Sequence, residues 1–141
     1  MIQEGLYATL AADAGVSAIV GTNIYPVLFP QTAYSDSSKL PCIVFKVDDR
    51  RRQVRFSGTD TLVECWLSVE CYAKTYTAAQ SLAVAVRSAL VDYSGTMTSN
   101  DSPQTTNAVQ SIFIESEDDA FAAEPGIYIV MQDFRIWYDE A

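Results

Sequence analysis

The sequence predicts an α+β domain: a single, mostly antiparallel β-sheet with two α-helices packed on one face, joined by long loops. Three observations carry this. Residues 62–72 alternate, with Val63, Cys65, Leu67, Val69 and Cys71 on one side and Leu62, Glu64, Trp66, Ser68, Glu70 and Tyr72 on the other. Period two over such a stretch is a strand with one apolar face, and at ~3.3 Å per residue it runs about 36 Å, longer than most strands. Residues 78–90 switch to a period of 3.6, the mark of a helix folding back onto that face. Residues 127–138 alternate again, with Ile129, Met131 and Trp137 opposite Val130, Phe134, Ile136 and Tyr138.

Taken in order, Ile2, Leu6 and Leu10 recur every four residues with Tyr7 beside them, an amphipathic first helix that stops near Gly15. Residues 16–20 form one more turn, closed by Gly21. Ile24, Tyr25 and Pro26, followed by Pro30, read as extended chain, because the residue before a proline avoids the helical region. Residues 31–39 are polar and read as a mobile loop. Residues 40–47 are a strand opened by Pro41. The arginines follow, and Val54 and Phe56 suggest the second arm of a hairpin, with a turn at 57–60.

The helix at 78–90 is capped by Thr77, which has capping-box spacing to Gln80, or by its rival Thr75. Ala78, Ala79, Leu82, Ala83, Ala85, Val86, Ala89 and Leu90 fill one arc, and this alanine-rich side lets the axis approach the sheet closely. Val84 and Val91 interrupt the polar arc. They read either as ordinary exposed valines or as a small contact patch for another subunit. Residues 94–107 contain Gly95, Asn100, Asp101 and Pro103, with Met97 the sole large apolar residue. They read as a long surface loop, flexible in the free subunit and in contact with a partner after assembly. Residues 108–114 are a strand, and 121–126 turn through Pro125 and Gly126 into the last strand.

A chain of 141 residues with 49% apolar content suits one domain, 1–141, with a real core. No apolar run approaches the ~20 residues that span a bilayer, and the N-terminus lacks a basic region before an apolar core. The expected setting is a cytoplasm, or a larger particle assembled there. Cys42, Cys65 and Cys71 are odd in number. Cys65 and Cys71 are separated by ~20 Å of strand, too far for a disulfide, so reduced, buried thiols are expected.

Chemistry is sparse. The chain has no histidine, so the commonest general base is missing, and no nucleotide-binding or nucleophile motif is present. Neither a catalytic set nor a metal site nor a cofactor is expected. Net charge is −9, which argues against a general nucleic-acid binder. That charge is segregated. Arg50, Arg51, Arg52 and Arg55 cluster, and Glu115, Glu117, Asp118, Asp119 and Glu124 form an acidic counterpart. The acidic run reads as a solvated turn and lacks the regular spacing of a calcium loop.

Several short segments, in order, resemble the bacteriophage tail-completion family, also called tail-terminator or head–tail joining proteins. They are Glu4-Gly5-Leu6-Tyr7; Ile24-Tyr25-Pro26 with Pro30; Leu40-Pro41-Cys42-Ile43-Val44-Phe45; Cys71-Tyr72-Ala73-Lys74-Thr75-Tyr76; and Asp133-Phe134-Arg135-Ile136-Trp137-Tyr138. The arginine run and residues 94–107 have no counterpart in that resemblance. It implies a non-enzymatic virion subunit, assembled in the host cytoplasm, forming a homo-oligomeric, six-membered ring that caps the tail tube. The implied partners are the tail tube protein and the head connector, with DNA passing through the lumen without specific binding and no membrane contact. The expected interface residues are Arg50, Arg51, Arg52, Arg55, Val84, Val91, Glu115, Glu117, Asp118 and Asp119. In this reading the arginines of one subunit meet the acidic run of the next; the other possibility is pairing within a subunit, or plain solvation. Other functional readings are a stand-alone cytoplasmic ligand-binding domain, and a head-completion or tail-tube subunit.

Overall fold

A computed structural model describes residues 2–26, 40–55, 58–91, 93–98, 106–122 and 126–139. Among them, the elements in chain order are α1 (Ile2–Ala12), α2 (Ala14–Val20), β1 (Ile24–Pro26), β2 (Cys42–Arg55), β3 (Gly58–Ala73), α3 (Tyr76–Leu90), β4 (Gly95–Thr98), β5 (Thr106–Ala122) and β6 (Ile127–Asp139). The strands form one six-stranded sheet in the order β1-β2-β3-β6-β5-β4. β1 runs parallel to β2 and the remaining pairs are antiparallel. The α+β class holds, with a mixed sheet and three helices where two were expected.

The face predicted for β3 is the buried one. Val63, Cys65, Leu67, Val69, Cys71 and Ala73 stand in register with Tyr138, Ile136, Phe134, Gln132, Val130 and Tyr128 of β6. Side chains of all three helices complete one core on this face, among them Leu6, Leu10, Val16, Leu82 and Val86. Burying each such leucine or valine is worth about 1.5–3 kcal/mol relative to exposure. On α3 the buried positions are Ala79, Leu82, Ala83, Val86 and Leu90, the predicted arc. The sheet curls around α1. Gly5 lies against Met97 of β4 at one edge, while Tyr7 meets Phe45 of β2, ring centroids 6.5 Å apart, near the other.

Local signals explain the helix ends. Asp13 caps α2, accepting the Val16 N–H at 3.0 Å, so the first helix breaks before Gly15 and the second begins there. Gly21 ends α2 at φ 60, a conformation glycine adopts without strain. Thr75, not Thr77, caps α3, accepting the Ala78 N–H at 3.2 Å.

Three expectations need correcting. The arginines do not separate two arms of a hairpin: β2 runs unbroken from Cys42 through them to Arg55, and its hairpin partner is β3, which already begins at Gly58. The acidic run is not a turn but the middle of β5, a strand that continues to Ala122. Within 94–107, β4 pairs with the start of β5 and buries Met97, so this part is sheet. A methionine side chain in a polar stretch had a place in the core to fill. The expected loop at 31–39 and the 99–105 part of the expected 94–107 loop, together with Phe56, Glu124 and Pro125, lie outside the described residues.

Candidate assembly surfaces

On β2, Arg50, Arg51 and Arg52 are exposed. Arg50 and Arg52 are in register with Cys65 and Val63, so they share the helix side of the sheet, while Arg51, opposite Glu64, takes the open side. Arg51 is held locally: its Nε is 3.1 Å from Asp49 Oδ2, and its guanidinium sits 5.2 Å from the centre of the Trp66 ring. Of Arg55 only the backbone is described, paired with Gly58.

The acidic residues of β5 divide in the same way. Glu117 and Asp119, in register with Gln132 and Val130, share the helix side; Asp118, opposite Met131, takes the open side. A register shift between Ile114 and Ser116 marks a bulge at Glu115. Glu115 pairs with Arg135 at 3.0 Å. Glu117 accepts from Arg87 of α3 at 3.1 Å and from Gln132 Nε2 at 2.8 Å. Asp119 accepts from Gln80 at 3.0 Å and from the Tyr76 hydroxyl at 3.3 Å. Neither Asp118 nor Asp119 forms an ion pair among the described residues.

The two runs therefore do not meet within one chain. Arg52 lies level with Val63 and Asp119 level with Cys71; that is about 26 Å of strand, with three strand spacings, about 14 Å, across the sheet as well. Each run instead finds local partners: Asp49, the neighbouring carboxylate that the sequence offers as a charge partner, and, missed by sequence reasoning, Trp66 for Arg51, Arg135 for Glu115, and Arg87 and Gln132 for Glu117. Most of these partners are distant in the chain, and only the strand register brings them together.

Of the two valines, Val84 is 48% exposed on α3. Val91 is the C-cap, with extended backbone at φ −64 and ψ 135, and packs partly against the core. They do not form one stripe, because the helix ends at Leu90 before the seven-residue spacing is complete.

Two hollows flank these segments. One, of about 270 Å³, lies between α3 and the β5–β6 hairpin and is lined by Tyr76, Gln80, Asp119, Phe121, Tyr128 and Val130 among others. Tyr128 packs against Phe121 at 4.6 Å and against Tyr76 at 5.9 Å. The other, of about 440 Å³, crosses the open face past Asp48, Arg51, Trp66, Glu115 and Asp133. Among the described residues, no three His, Cys, Asp or Glu side chains converge to hold a metal ion, and no helix is long and apolar enough to cross a membrane. Cys42, Cys65 and Cys71 are free and buried. Burial pushes the thiols of Cys42 and Cys65 up to about 12, and that of Cys71 up as well.

Comparison with known proteins places this geometry. No curated protein sequence matches the chain. Among solved structures, a chain described as "Virion of native gene transfer agent (GTA) particle" superposes with a TM-score of 0.66 at 19% identity, covering 95% of this chain and 91% of that one. At that identity the likeness is one of fold. The family model "Tail completion protein gp17" matches residues 4–139. The chain belongs to this family of tail completion proteins, structural proteins of the bacteriophage virion.

Proposed function

We propose that the protein is the subunit of a closed ring, six copies around, that caps the tail tube and joins it to the head. Its neighbours in the particle are the tail tube protein and the head connector, and it is assembled in the host cytoplasm before it enters the virion. The observation that carries this is the diagonal separation of a basic and an acidic strand segment on one small domain. A ring built head to tail needs two different, complementary surfaces on every subunit, and these two segments meet that requirement. The net charge of −9 suits a lumen through which DNA slides without sticking, since tight phosphate binding draws on lysine and arginine. No catalytic step is assigned to it.

Mass photometry at high protein concentration and electron microscopy of tails incubated with the protein test this reading. Six-membered rings, free or seated on one tail end, are the expected result. A strict monomer that never decorates a tail end would overturn it.

A further inference from the structure

The sheet carries two open strand edges. β1 covers β2 only at Ile43, Val44 and Phe45. From Lys46 to Arg55, no strand among the described residues pairs with the outer side of β2. β4 covers β5 only from Thr106 to Val109, and from Gln110 to Ala122 its outer side is likewise without a strand among the described residues. The charged stretches occupy these open edges, and residues 49–52 and 115–119 are exposed on both faces of the sheet. An open edge presents unpaired N–H and C=O groups and invites another strand. Charge on such an edge discourages indiscriminate pairing; opposite charge on two edges of the same chain makes one pairing selective.

We propose that the open edge of β2 in one copy pairs, antiparallel, with the open edge of β5 in a second copy, with Arg50, Arg51 and Arg52 opposite Asp119, Asp118 and Glu117. This rests on the head-to-tail reading above and specifies its interface. The strand directions fit. β2, β3, β6 and β5 alternate in direction, so a sheet continued from β2 into the next copy's β5 is antiparallel there. The faces fit too. Opposite residues of an antiparallel pair point to the same side, and Arg50 and Arg52 share the helix side with Asp119 and Glu117, while Arg51 and Asp118 share the open side.

Lengths and ends agree with the same register. It sets 50–52 directly against 117–119, between the irregularity at 48–49 of β2 and the bulge at Glu115 of β5, and both runs lie within the uncovered parts of the two edges. β4 then lies beyond Arg55 of the adjoining copy, and β1 lies beyond Ala122, so the two short strands cap the ends of the joint without blocking it. Arg51 is level with Glu64, and Asp118 is level with Met131 and hence Glu70. The stagger per subunit is therefore about 20 Å along the strands, against about 19 Å across four of them. The strands would tilt about 45° to the ring axis, close to the inclination at which sheets close on themselves.

Cysteine cross-linking tests the register, because the three native thiols are buried. The double variant Arg51→Cys/Asp118→Cys, oxidised after assembly, should give a ladder of covalent oligomers that ends at the ring. The off-register control Arg51→Cys/Phe113→Cys should give none. A charge swap guards against loss of assembly through the substitutions themselves. Arg51→Asp and Asp118→Arg should each weaken assembly by about tenfold or more, and mixing the two should restore it in alternating rings. If wild-type rings form while the first pair does not cross-link and the mixture does not recover, the strand pairing is overturned and the ring stands. If the wild-type protein forms no closed assembly, alone or on tails, both fail together.

Discussion

Gln132 donates through Nε2 to the main-chain carbonyl of Ala83, 3.0 Å away, and to the carboxylate of Glu117 at 2.8 Å. The side chain is fully buried, and its Oε1 has no partner among the described residues. Both neighbours of the NH₂ group are acceptors, so the amide orientation is fixed. One amide thus ties the middle of α3 to β5 and β6 beneath the acidic edge.

Gln132→Glu should therefore be severely destabilising at neutral pH, by about 3 kcal/mol or more, because it buries a carboxylate against a carboxylate and a carbonyl. Burial and Glu117 would raise the new group's folded pKa. Its protonated form is the tolerated one, so the penalty should shrink as pH falls from 7 to 5. Urea unfolding at the two pH values measures both. A loss below 1 kcal/mol at pH 7 would mean that the site is wet and the amide contacts are not made as described.

The parts of the fold legible in the sequence were those with one wet and one dry face. The alternation at Val63, Cys65 and Leu67 identified β3 and its buried side, and the alanine arc identified α3. The pattern failed where both faces of a strand are exposed. Arg50, Arg51 and Arg52 on β2, and Glu115 to Asp119 on β5, have no apolar–polar alternation to show, because neither side enters the core. The strands persist there because their neighbours β3 and β6 supply the hydrogen bonds. Both charged edges were therefore visible as charge clusters but not as strands. Met97 went unread because one buried residue cannot set a period.

Gly5→Ala pits helix propensity against packing. In a free helix the change would gain about 1 kcal/mol. Here the added Cβ would sit 2.9 Å from Met97 Cβ, an atom fixed to the β4 backbone that cannot swing aside. Overpacking of this kind costs about 1–3 kcal/mol, which matches or exceeds the propensity gain, so net destabilisation of up to about 2 kcal/mol is expected. Thermal or urea unfolding reads the sign. A more stable variant would show that α1 and β4 are farther apart than described.

The buried thiols give the protein an alkaline limit. Burial raises their folded pKa values, to about 12 for Cys42 and Cys65, from 9.0 for a solvated thiol. The native state keeps protons that the unfolded state releases, so this contribution is intact below pH ~9 and is lost as pH rises towards 12. Each thiol adds a slope of up to about 1.4 kcal/mol per pH unit in that window. Unfolding free energies measured from pH 8 to 10.5 should fall, and fall less steeply in Cys65→Ala. At pH 8 a thiol reagent should react only as fast as the protein unfolds. Prompt labelling of any native cysteine would contradict the burial.

Ionic strength should act on assembly in two opposing ways. Each subunit carries a net charge of −9, so approaching copies repel over the Debye length, about 30 Å at 0.01 M salt. The attraction between the β2 and β5 edges acts at contact distance. At about 0.1 M the screening length is about 10 Å, which weakens the long-range repulsion more than the close pairs. At 1 M, with a length of about 3 Å, the exposed pairs lose most of their worth, about 0.2–1 kcal/mol each at the outset. Assembly, followed by light scattering at fixed protein concentration, should therefore peak near 0.1 M salt and decline on both sides. A steady rise to 1 M would point to an apolar joint, such as one through Val84 or the Tyr76–Tyr128–Phe121 cluster. A steady fall from the lowest salt would mean that local attraction outweighs the net charge at every distance. Neutralising Glu115, which is already paired with Arg135, and neutralising Asp118 lower the net charge equally, but only the second removes an attraction, so the Asp118 variant should peak at higher salt than the Glu115 variant.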